Sequence, residues 1–163
     1  MFDNKFDYLD LLKFLNNKNL SYDIVSHSSK PATIDGNVIA SALADLDDWV
    51  QAWAYILANH HARSTEMYLC QRVLMSIIYA EMAHLNIGES RKLIHANNIA
   101  WGVMDVQTSK RTNASIRDIA LACDMDKQTY YRTYTRYYQR AEQEIATWES
   151  IIREAIKIAV IDK

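Results

Sequence analysis

One proline and three glycines punctuate 163 residues. Strands need frequent turns, and turns draw on those two residues, so their scarcity points to helices. The expected fold class is all-α. Hydrophobic residues make up 50% of the chain, which is ample for a core, and the length suits one domain or a domain with a small module.

Taken in order, residues 2–20 place Phe6, Leu9, Leu11 or Leu12, and Leu15 at helical spacing, followed by the polar run Asn16 to Asn19. Residues 21–35 read as the one clear loop, because Ser, His and Lys cluster around Pro31; His27 reads as a solvated loop histidine. A long helix is expected from Asp35 or Asn37 to about His60. Its stripe is Val38 or Ile39, Ala42, Leu46, Trp49, Val50, Trp53, Ile56 and Leu57, with Asp45, Asp47 and Asp48 opposite. The next helix starts near Ser64 and is apolar around much of its circumference, so it is expected to be the most buried; Asn86-Ile87-Gly88 ends it. A fourth helix starts at Glu89 or Ser90, with Leu93, Ile94, Asn97, Ile99 or Ala100, Val103 and Met104 expected to face inward. Residues 107–114, QTSKRTNA, read as a polar hinge loop. Residues 1–106 would then be an N-terminal helical bundle. Residues 107–163 would be a second segment, standing apart or packed on the bundle as one domain.

No stretch approaches the ~18 uninterrupted apolar residues that a membrane span needs. The opening MFDNKFDYLD is acidic, which argues against a signal peptide. Cys70 and Cys123 fall on apolar helix faces and read as buried thiols of a reducing, cytoplasmic compartment.

The most informative stretch is Ser115 to Tyr134, SIRDIALACDMDKQTYYRTY. Ser115 is an N-cap with Asp118 as its acidic partner three positions on. Ile116, Ile119, Ala120 and Cys123 follow at helical spacing. Asp124 interrupts, Met125 returns to the interior, and Asp126 caps a helix beginning at Lys127. Ala120 is small enough for a second helix to cross closely, with Tyr130 and Tyr134 facing inward. IALACDMDKQTYYRTY resembles the helix-turn-helix core of bacterial and phage DNA-binding proteins. Ile119-Ala120 matches the apolar-alanine pair of the first helix, Met125 the apolar residue after the turn, and Asp126 to Thr129 the polar start of the recognition helix. Asp124 stands where that family usually has glycine; aspartate tolerates the left-handed conformation better than most residues.

The resemblance implies a recognition helix in a DNA major groove. Lys127, Gln128, Thr129, Tyr131 and Arg132 would then reach base edges or the groove wall, and Lys110, Arg111 and Arg136 would contact phosphates. Net charge is −2, but it is unevenly spread: residues 107–140 hold 7 Lys/Arg against 3 Asp/Glu, and residues 1–106 hold 8 against 12. Arg132, Arg136 and Arg140, spaced four apart, form a basic edge beside Tyr130, Tyr134 and Tyr138, which read as packing residues. Beyond them, Tyr138, Ala141, Ile145, Trp148, Ile152, Ala155 and Ala159 form a heptad seam, widened by Ile151, Ile156 and Ile158. The seam wants a partner: the N-terminal bundle, or the same helix of a second chain in a homodimer.

Glu81-Met82-Ala83-His84 is a single Glu-x-x-His step; di-iron carboxylate proteins use two such steps and two further glutamates, which no neighbouring helix supplies. No phosphate loop, nucleophile elbow or paired-cysteine motif is present. No catalytic set, metal ligands or cofactor is therefore expected. The expected function is double-stranded DNA binding in transcription control, with similarity to bacteriophage regulators such as the Q-type antitermination proteins and with RNA polymerase or another host protein as a further partner. The alternatives are a protein-interaction module, such as a phage-encoded inhibitor of a host complex, and a helical metal protein or enzyme using Glu81 and His84.

Overall fold

The computed structural model describes residues 7–16, 22–24, 32–34, 36–58, 64–109 and 114–161. The fold class is all-α. A 3₁₀ helix, Tyr8–Asn16, is followed by strands β1 (Tyr22–Ile24) and β2 (Ala32–Ile34), then α1 (Gly36–Leu43), α2 (Asp48–Ala58) and α3 (Ser64–Glu81). A 3₁₀ turn, Met82–His84, leads to α4 (Glu89–Thr108), α5 (Ile116–Ala122), α6 (Lys127–Thr129), a π-helical turn (Tyr130–Tyr134) and α7 (Thr135–Ile161). Among the described residues, no helix is long and apolar enough to cross a membrane.

The chain forms two compact units, one from residues 1–66 with 148–163 and one from residues 67–147. α3 and α7 each contribute residues to both units.

In the first unit, Leu11 and Leu12 of the 3₁₀ helix, Ile39 and Leu43 of α1, Val50, Trp53 and Ile56 of α2, and Trp148, Ile152 and Ile156 of α7 are buried. Trp53 meets Trp148 edge to face, with ring centroids 6.2 Å apart, and the Trp53 indole N–H donates to Glu149 Oε1 at 3.4 Å. Arg153 bonds Asp7 at 3.0 Å and lies 3.5 Å from Glu149. Two expectations fail here. The single helix to His60 is broken after Leu43: Gln51 Nε2 donates to the carbonyls of Ala44 (3.2 Å) and Leu46 (2.7 Å), stabilising a turn where three aspartates lower helix propensity. The loop over residues 21–35 contains an antiparallel ladder pairing Tyr22 with Ile34 and Ile24 with Ala32. His27, His60 and His61 lie outside the described residues.

In the second unit, α4 rather than α3 is the more deeply buried: eight of its residues, from Lys92 to Val106, are covered. Gln71, also buried, donates to Asn97 Oδ1 at 2.7 Å and fixes the register of α3 on α4. Lys92 donates to Glu89 (2.9 Å) and to the Ala83 carbonyl (3.5 Å), tying the start of α4 to the end of the preceding turn. Cys70 and Cys123 are buried and not disulfide-bonded.

The long C-terminal helix forms as expected. Tyr138, Ala141, Ile145, Trp148 and Ile152 are buried along it, already covered by this chain. The seam then drifts: Ile156 is buried, Ala155 and Ala159 are only half-buried, and Ile151 and Ile158 are exposed rather than widening the stripe. At the other end, heptad spacing would place Tyr131 almost over Tyr138, since seven residues fall roughly 20° short of two turns. The π turn prevents this. Its N–H of Thr135 bonds the Tyr130 carbonyl five residues back, so one residue is absorbed; Tyr130 is buried and Tyr131 is 64% exposed.

Candidate nucleic-acid interface

The turn between α5 and α6 is built from local chemistry. Ser115 Oγ accepts from the Asp118 N–H at 3.2 Å, while Asp118 Oδ2 accepts from the Ser115 N–H at 3.0 Å, a complete capping box. At the other end, Met125 N–H bonds the Ala120 carbonyl (2.9 Å) and Asp124 N–H bonds the Leu121 carbonyl (3.0 Å), the two bonds of a Schellman stop. That stop requires a left-handed residue, and Asp124 supplies it with φ 52°. Asp126 then caps the next helix, its Oδ1 accepting from the N–H groups of Gln128 and Thr129, both at 3.0 Å. Hydrogen bonds from Thr129, then from the Gln128 N–H, hold the Asp126 carboxyl below the ordinary carboxylate range.

Beneath the turn the packing is tight. Ala120 is buried as expected, but Ile116 is exposed and Ile119 half-buried. Helical spacing gives no hint of the part played by Gly102 in the middle of α4. A Cβ there would meet Cys123 Sγ at 2.5 Å, and the Ala122 carbonyl carbon and Cys123 Cα at 3.0 Å each. Glycine is what lets the end of α5 lie on α4. Burial pushes the Cys123 thiol up to about 12, so it is inert. Tyr130 and Tyr138 meet edge to face at 6.0 Å, and burial raises both phenols. Tyr134 is buried against His95, ring centroids 4.6 Å apart; burial, then the Arg91 charge, lowers the His95 pKa.

On the outer side, Lys127, Gln128, Thr129, Tyr131 and Arg132 are all exposed. Among the described residues, Lys127 and Arg132 make no ion pair with any carboxylate. Leu121 is also uncovered, 77% exposed. Lys110 and Arg111 lie outside the described residues.

The basic edge is not uniform. Arg140 sits between Glu144 (3.0 Å) and Glu81 (3.8 Å), so its charge is answered. Arg136 has no carboxylate within ion-pairing distance among the described residues. Its guanidinium rests 4.6 Å over the Tyr137 ring, bonds the Tyr137 hydroxyl and reaches the His84 imidazole. Tyr137 Oη is itself 3.2 Å from His84 Nε2. These groups line an open groove of about 480 Å³, closed on one side by Glu81 and His84 and on the other by the first turns of α7, including Gln139 and Gln143. No spacing signal announces this convergence, since His84 and Arg136 are 52 residues apart. The Glu81–His84 step faces two guanidinium groups, a surrounding that repels a metal cation. The chain matches no protein-family model, no curated protein and no solved structure.

Proposed function

We propose that this protein is a DNA-binding transcriptional regulator that reads double-stranded DNA with the helix beginning at Lys127. The observation that carries the reading is the combination of a capped, Schellman-terminated α5, an aspartate-capped α6 that follows from an α5 seated on Gly102, and an outer surface of Lys127, Gln128, Thr129, Tyr131 and Arg132 that is left uncovered. Side chains on the first turns of such a helix reach base edges in a major groove about 12 Å wide. Lys127 and Arg132 bring unneutralised cations there, and Arg136 lies one turn beyond Arg132 for the phosphate wall. Action on a transcription complex, including antitermination through RNA polymerase, is the finer form of the same proposal and rests on the resemblance of the motif.

A second reading, a protein-interaction module, is favoured by one observation: Leu121 and Tyr131 add apolar surface near the same basic residues. A gel-shift series separates the two. DNA binding should weaken steeply as salt rises. Arg132→Ala should cost about 1–3 kcal/mol if that guanidinium reads a base, and Lys127→Ala should reduce the salt slope by about one if the ammonium meets a phosphate. Absence of salt-dependent binding to any genomic fragment pool would eliminate the DNA reading.

A further inference from the structure

We infer that His84, Arg136 and Tyr137 form a phosphate clamp, which holds a backbone phosphate of the bound DNA. Three hydrogen-bonding groups converge on one point of the groove. Arg136 Nη2 reaches the His84 ring and the Tyr137 hydroxyl, and that hydroxyl lies 3.2 Å from His84 Nε2. Guanidinium, phenol and an imidazole N–H are all donors, and Arg140 engages two nearby carboxylates, Glu144 at 3.0 Å and Glu81 at 3.8 Å. Arg140 therefore screens Arg136 from neutralisation while leaving the groove open.

A phosphate suits this gap. Its oxygens accept a forked pair of bonds from a guanidinium, one from an imidazole N–H and one from a phenol. The buried Tyr137 ring lies against both groups, 26° from the plane of His84 and 4.6 Å from the Arg136 guanidinium. The groove is open rather than enclosed, as a site for one phosphate of a long polymer must be. It also lies on the same helical rod as Lys127 and Arg132, roughly 6 Å beyond Arg132 at four residues' rise.

The inference rests on the DNA reading for its source of phosphate, and the experiment separates the two. Affinity for a DNA duplex would be measured at fixed salt for the full chain and for His84→Gln and Tyr137→Phe. In parallel, the His84 ring resonance would be followed while inorganic phosphate is added. We expect each variant to bind the duplex about threefold or more weakly, and the His84 resonance to move saturably with phosphate. Wild-type affinity in both variants overturns the clamp while leaving DNA binding standing. Failure to bind DNA with a saturable phosphate shift at His84 sinks the DNA source but keeps the clamp for a free phosphate compound. No shift at His84 with phosphate, together with unchanged affinity in both variants, overturns it outright.

Discussion

Gly102→Ala tests the geometry on which the interface depends. Taken alone, glycine to alanine in a helix interior stabilises by about 0.8–1 kcal/mol. Here the new methyl would lie 2.5 Å from Cys123 Sγ and 3.0 Å from two main-chain carbons at the end of α5. The sulfur can rotate aside, but the main chain can retreat only by moving α5 away from α4. Overpacking of this kind costs about 1–3 kcal/mol. The second effect wins, and a net loss of about 1 kcal/mol is expected, read as a lower urea midpoint at unchanged slope. Repeating the substitution in a Cys123→Ala background removes the 2.5 Å contact and keeps the two at 3.0 Å, so the cost should shrink without disappearing. DNA affinity should fall in parallel, because α6 follows α5. If Gly102→Ala instead raised stability by the full helix-propensity gain, α5 would not approach α4 this closely, and the proposed placement of the recognition helix would lose its steric basis.

Further outcomes follow from the same structure. Asp124 occupies the left-handed position at φ 52°, so Asp124→Gly should be neutral or stabilising and Asp124→Ala should cost about 1 kcal/mol in equilibrium unfolding; the reverse order would refute the Schellman stop. The Asp126 cap, whose carboxyl is held below its ordinary value by Thr129 and Gln128, should persist in full above pH ~4 and be lost as pH falls through the lowered folded value. The amide resonances of Gln128 and Thr129 should report that loss, and Asp126→Asn should abolish it; amides that ignore acidification would disprove the cap. Trp148→Ala removes a ring that is 1% exposed and packed on Trp53, and should cost about 3–5 kcal/mol with a change in tryptophan fluorescence. A loss under 1 kcal/mol would show that this ring pair does not anchor its unit.

What the linear chain discloses is local. Ser115, Asp118 and Asp126 act on groups two or three residues away, so their caps, and with them the exposed set from Lys127 to Arg132, are legible in the order of residues alone. Asp124 is legible as a left-handed candidate for the same reason. The break between α1 and α2 is not, because the apolar stripe resumes in phase at Trp49 and Val50 after the turn and conceals it. The strands are three residues each, too short to show alternation. Gly102 and the His84–Arg136 meeting depend on residues that are neighbours only after folding. A mid-helix glycine is the one visible sign, and spacing cannot name its partner.

The π turn at Tyr130–Tyr134 separates two rhythms within one rod: the beat that keeps Tyr138 and Ile145 inward and the beat that keeps Lys127 and Tyr131 outward. Both are satisfied only because the rod carries one peptide more than an even winding would hold. Loss of a single residue such as Thr133 would let the winding close evenly, whereas straightening the turn at full length would swing Tyr131 toward the packed side. Homologous chains should therefore differ here by a gap in length before they differ in the tyrosines on either side.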